Sequence, residues 1–120
     1  MEPMLFMKTA SCLLAITALG GLTMAGLRFA GRPRPPTWLA MLHGFLAGAA
    51  ATLLLYAYFT VGLPPLAGWA LLLLIIAAAG GVFMNLNYHW KILPLPLGLV
   101  LGHAGLAAVG FILLIAATWG

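Results

Sequence analysis

Charge is scarce in this chain. Of 120 residues one is acidic, Glu2, and five are lysine or arginine. Charged residues make up 5% of the sequence, against about 25% in an ordinary soluble domain. That excludes a water-soluble globular domain. A single carboxylate side chain also excludes paired-carboxylate acid–base chemistry, a carboxylate proton relay and a coupling acid of the small-drug-antiporter type. Cysteine is equally thin. Cys12 is the only one, so no intrachain disulfide can form, and it reads as a small apolar residue. No Ser-His-Asp set, P-loop or zinc-ligand spacing is present. The net charge of +4 has no basic stripe behind it, so it is no nucleic-acid footprint. It is loop charge of the kind that orients membrane spans.

Apolar residues are what the chain has in abundance, at 65%. They fall into four runs, about residues 9–28, 37–60, 66–88 and 96–118. Each reaches the ~20 residues that a helix needs to cross ~30 Å of hydrocarbon. Helices are the form expected, because each satisfies its own backbone hydrogen bonds in lipid. The breaks carry turn chemistry: Gly31-Arg32-Pro33-Arg34-Pro35-Pro36, Gly62-Leu63-Pro64-Pro65, and His89-Trp90-Lys91 with Pro94 and Pro96. Connections this short make neighbouring helices antiparallel. The expected fold is all-α, one transmembrane four-helix up-and-down bundle over residues 1–120. The first run is long, lacks a small-x-small cleavage site and ends in arginines, so it reads as a retained span and not as a signal peptide.

The loops suggest an orientation. Arg28, Arg32, Arg34 and Lys91 belong to the side of the first and third loops, and Lys8 alone to the other side. The positive-inside rule then puts those two loops in the cytoplasm and both termini outside, in the inner membrane of a bacterium.

The chain also repeats itself. Residues 1–60 and 61–120 look like two copies of one two-helix design. An offset of 60 positions lays His43 on His103, Gly20 and Gly21 on Gly80 and Gly81, Met24 on Met84, and Pro36 on Pro96. Each histidine lies seven residues beyond its proline, roughly 10 Å from its helix start. The glycine pairs on helices one and three lie at a similar depth from the same side. In an up-and-down bundle the second and fourth helices are diagonal partners. A flat ring at that level would meet an imidazole from each of them and bare backbone from the other two helices. That is what one haem b requires: an axial nitrogen on each face of the iron, and clearance for the macrocycle. His43 and His103 are the expected ligands, and Gly20, Gly21, Gly80 and Gly81 the clearance. Arg28, Arg32 and Lys91 are the cations that propionates could reach, since arginine pairs well with planar carboxylates.

Simpler readings compete at each position. A histidine in a membrane helix can be an interhelical hydrogen-bond partner, and glycines can serve close packing. Gly44 and Gly48 form a G-x-x-x-G, common in membrane helices. His89 stands beside Tyr88 and Trp90 and reads first as part of an interfacial aromatic belt. Its functional reading is a propionate contact, or a proton donor at a quinone site. Met24 and Met84 read as core filler, and Tyr56, Tyr58 and Trp119 as interfacial anchors.

The histidine-and-glycine pattern resembles membrane b-type cytochromes, including the cytochrome b561 group and the cytochrome b of quinol-oxidising complexes. The resemblance covers the bundle core and no linear motif. It departs from those families in offering one symmetric histidine pair, where they usually carry ligands for two haems. The stretch from His89 through Lys91 and Pro96 to His103-Ala104-Gly105-Leu106 is also similar to small four-helix bacterial membrane proteins. The expectation is an electron carrier with one bis-histidine haem near the cytoplasmic side. A quinone, other subunits of a membrane redox complex or further copies of the chain would be its partners in the bilayer. The alternatives are a (bacterio)chlorophyll-binding subunit and a cofactor-free accessory subunit of a respiratory or photosynthetic complex.

Overall fold

The computed structural model describes residues 2–120, and it is helical throughout. Four α-helices follow one another: α1 Pro3–Phe29, α2 Thr37–Phe59, α3 Pro65–Met84 and α4 Leu97–Trp119. A π-helical turn, Asn85–His89, continues α3. Each α-helix begins at a proline or directly after one. Proline has its φ already set for a helix, and the N–H it lacks would have no partner in the first turn. The first two connections turn through glycines in the left-handed region, Gly31 at φ 103° and Gly62 at φ 83°. The third places Ile92 there, at φ 58°, a strained conformation for a β-branched residue. The first span is longer than its hydropathy suggests. It starts at Pro3, because Met4, Leu5, Phe6 and Met7 extend the apolar surface ahead of Lys8.

The four helices form an antiparallel bundle 43 Å long. Each is long and apolar enough to cross a membrane. Apolar side chains cover the outside as well: Leu19, Leu22, Phe45, Trp69 and Ile112 are all more than half exposed. A helix that is apolar on all sides has lipid for its solvent. The chain is therefore an integral membrane protein with lipid around its girth. Cys12 is exposed on this surface.

Packing follows the sequence repeat. α1 lies closest against α2, and α3 against α4, while α1–α4 and α2–α3 form the lesser contacts. The bundle is two hairpins set side by side. Burial recurs at the same offset: Met7 with Ala67, Ala10 with Ala70, Leu14 with Leu74, Thr17 with Ala77, and Leu54 with Leu114. Small side chains let the backbones approach, as membrane bundles need.

The core is lopsided. Its cluster of Met7, Ala10, Leu14, Ala50, Leu54, Ala67, Ala70, Leu71, Leu74 and Leu114 belongs to the end that carries the second loop and both termini. Toward the first and third loops, the only buried apolar side chains among the described residues are Ala77, Met84 and Val100. One half of the bundle is packed, and the other is held mainly at its mouth. There Arg28 Nε donates to the Leu95 carbonyl at 2.8 Å. Leu95 N–H donates to the Pro33 carbonyl at 3.0 Å.

Gly110 marks how tight the packed half is. A Cβ there would stand 3.0 Å from Leu74 Cγ and 3.3 Å from the Ala70 carbonyl oxygen. Gly110→Val should destabilise the bundle by about 1–3 kcal/mol, the usual cost of overpacking. Thermal unfolding in detergent micelles measures it. Gly44→Ala is the control, because a Cβ at Gly44 would meet nothing within 4 Å. Gly48 is equally open, so the G-x-x-x-G makes no close contact within this chain.

Candidate cofactor site

His43 on α2 and His103 on α4 come from diagonal helices and meet at the centre of the loosely packed half. Their ring centroids are 6.1 Å apart, and the ring planes cross at 69°. Both rings are fixed in the same way. His43 Nδ1–H donates to the Thr17 carbonyl on α1 at 2.9 Å. His103 Nδ1–H donates to the Ala77 carbonyl on α3 at 2.7 Å. Thr17 and Ala77 are themselves repeat partners, each 26 residues before its histidine. A carbonyl can only accept, so Nδ1 carries a proton in both rings and Nε2 is the nitrogen left for a metal. This is the arrangement in which a backbone carbonyl orients a metal-ligating imidazole and raises its basicity.

The glycines divide into two kinds. A Cβ on Gly21 would stand 2.9 Å from His43 Cε1, and one on Gly81 would stand 3.1 Å from His103 Cε1. These two glycines make room for the imidazole of their own hairpin. Gly20 and Gly80 are less crowded, with nearest atoms at 3.8 and 4.0 Å. The physical reason is that the carbonyl contact turns the Nδ1–Cε1 edge of each ring against its neighbouring helix, and the clearance is used there.

Space lies on the other side of His103. A groove of about 460 Å³ between α3 and α4 is lined by Gly80, Phe83, Met84, Gly98, Gly102 and His103, among other residues. Gly98 and Gly102 stand where the first half carries Trp38 and Leu42. The two halves thus match at the histidines and differ beside them.

His89 departs from the belt reading. The π-helical turn fits one more residue into its loop than an α-turn does, and His89 faces inward at 7% exposure while Trp90 beside it is 61% exposed. Its Nε2 lies 3.2 Å from the Thr37 hydroxyl at the start of α2. Its Nδ1 is buried without a hydrogen-bond partner. It therefore ties α3 to α2 and does not anchor at the membrane surface. Arg28 also has a structural task, since its Nε is taken by Leu95. Tyr56, Tyr58 and Trp119 are exposed, and Met84 is buried.

No cluster of three or more histidine, cysteine, aspartate or glutamate side chains exists among the described residues. The histidine pair stands alone as a donor set. The residues that sequence reasoning missed are the carbonyls of Thr17 and Ala77 and the hydroxyl of Thr37. A carbonyl carries no side-chain signal; the repeat offset alone could have pointed to the first two. No protein family, curated protein or solved structure matches the chain.

Proposed function

We propose that the chain is a small membrane b-type cytochrome in which His43 and His103 hold one haem iron, one imidazole on each face. The pairing of two imidazoles from diagonal helices, each tethered through Nδ1 to a repeat-related carbonyl, carries the proposal. With a metal–imidazole bond of about 2.0–2.1 Å and a ring centroid about 1.1 Å behind its nitrogen, two imidazoles facing each other across one metal have centroids ~6.3 Å apart. The observed 6.1 Å agrees. Ordinary edge-to-face ring pairs have centroids about 4.5–7 Å apart, so the spacing permits a shared metal, and the matched Nδ1 tethers are what favour one. The sparser core of this half adds weight, because a haem there would supply further apolar contacts.

When bound, haem supplies reversible one-electron chemistry, with a potential set by axial ligands, hydrogen bonds and burial. The protein's own contribution is orientation. Thr17 and Ala77 hold the rings, Gly21 and Gly81 let them lie close, and the apolar helices exclude water. Arg32, Lys91 and the remaining N–H groups of Arg28 offer positive charge on the propionate side. The first and third loops face the cytoplasm of a bacterium in this reading. A single site nearer one face does not carry electrons across the bilayer alone, so a quinone or further subunits of a redox complex complete the path.

The test is an absorbance spectrum of the purified protein, oxidised and then reduced with dithionite. A redox-sensitive Soret band with a sharp alpha band is the expected result. A far-red band instead would indicate a chlorophyll-type pigment. A colourless protein, still colourless after incubation with haemin, would overturn the proposal.

A further inference from the structure

Each imidazole is tied within its own hairpin. His43 on α2 bonds to Thr17 on α1, and His103 on α4 bonds to Ala77 on α3. The tethers fix each ring to one hairpin and do nothing to hold the two rings face to face. That is left to whatever joins the hairpins, and the joint differs at the two ends of the bundle.

At the end with both termini the joint is apolar. Met7, Leu14 and Leu54 of the first hairpin share one buried cluster with Leu71, Leu74 and Leu114 of the second. Toward the first and third loops the buried apolar side chains are Ala77, Met84 and Val100, and all of them belong to the second hairpin. Among the described residues the first hairpin buries no apolar side chain on that side. The joint there is polar. Arg28 Nε donates to the Leu95 carbonyl at 2.8 Å, Leu95 N–H donates to the Pro33 carbonyl at 3.0 Å, and the Thr37 hydroxyl lies 3.2 Å from His89 Nε2. No other hydrogen bond passes between the hairpins among the described residues.

These ties do not come from the repeat. Tyr88, Phe29 and Leu97 stand where Arg28, His89 and Thr37 would have their counterparts. The ties also hold against a cost. His89 Nδ1 is buried without a partner, and Ile92 in the third loop lies at φ 58°, an unfavourable conformation for a β-branched residue. Opening the mouth would give the nitrogen water and free the loop to relax.

We propose that the hairpins hinge at the packed end, and that the ties at the mouth are the closure that brings His43 and His103 face to face. Opening moves each ring away with its own hairpin; closing presents both Nε2 atoms to one ligand between them. Arg28, Thr37 and His89 are then positioning residues for the ligand pair. What closure accomplishes rests on the paired-ligand reading; the hinge itself does not, and is tested without cofactor.

The test is hydrogen–deuterium exchange, followed by mass spectrometry on the full chain in neutral-detergent micelles. Exchange reports local opening region by region. In Arg28→Met/Thr37→Val, amides of residues 18–29, 37–46, 78–89 and 97–106 should exchange roughly tenfold faster than in the wild type, as the loss of two net hydrogen bonds predicts. Amides of residues 50–57, 67–74 and 110–117 should change by less than about twofold, because their end stays packed. Thr23→Val is the control and should leave both regions unchanged, since that hydroxyl bonds to Leu19 within its own helix. No acceleration at the mouth overturns the closure. Equal acceleration at both ends is loosening of the whole bundle and overturns the hinge. Haemin is then added to the wild-type chain. A low-spin spectrum with slower exchange at the mouth supports assembly by closure, and the same spectrum with unchanged exchange overturns it. A colourless chain would fail the cytochrome reading, while the exchange pattern of the cofactor-free chain still decides the hinge.

Discussion

If the proposed haem is bound, His43→Ala and His103→Ala should each abolish its low-spin spectrum. The expectation follows from geometry. The rings lie 6.1 Å apart on diagonal helices, and the proposal gives each of them one side of a single metal. Removing either imidazole would take away one of the two ligands proposed for the iron, and the sharp reduced alpha band should be lost. Met24 and Met84 do not restore it: they are repeat partners on α1 and α3, not on the helices that carry the ligands. His89 does not restore it either, since its ring is held at the loop end by Thr37. Addition of free imidazole to the purified variants should rescue the spectrum in part, because the alanine leaves a ring-sized space. An unchanged spectrum in either variant, with the fold retained, ends the paired-ligand reading. The unfolding temperature without cofactor is a second measure: each variant loses one Nδ1–carbonyl bond, a modest net loss of about 0.5–1.5 kcal/mol.

The second large effect comes from glycines that bear no chemistry. Gly21→Val and Gly81→Val should displace the imidazoles from their carbonyls. Even a single methyl at these positions would stand 2.9 or 3.1 Å from Cε1, and the branched side chain adds atoms toward the same ring. Either the ring moves out of hydrogen-bond reach or the two helices part. The expected cost is about 1–3 kcal/mol of stability, read by thermal unfolding, together with loss or broadening of the haem bands. Gly20→Ala is the contrast. Its Cβ would meet His43 and Leu39 at 3.8–3.9 Å, an ordinary contact, and the alanine should be nearly neutral. If valine at Gly21 and alanine at Gly20 behave alike, the close approach of ring to backbone has no functional weight.

These two experiments separate ideas that the sequence merges. Glycines opposite histidines invite the reading that a macrocycle lies between them. The distances place the imidazoles of His43 and His103 in the clearance at Gly21 and Gly81. Mutation of the glycines therefore tests how the histidines are positioned, and mutation of the histidines tests what they hold.

Several features were legible in the sequence for simple reasons. Hydrocarbon thickness requires about 20 apolar residues in each span, and proline marks where a helix can begin, so the four helices could be counted and placed. The offset of 60 positions put His43 and His103 at one depth because equal helix starts and equal spacing leave no other result. Other features depended on how the hairpins pack. Thr17 and Ala77 accept the histidine bonds through carbonyls, which every residue has, so their side chains could not reveal the role. His89 turns inward because the π-helical turn rotates it away from Trp90, and no periodicity of 3.6 residues anticipates that. The uneven core is likewise a matter of the third dimension. Leucine and alanine fill both halves of the sequence, yet only one end of the bundle brings them into contact.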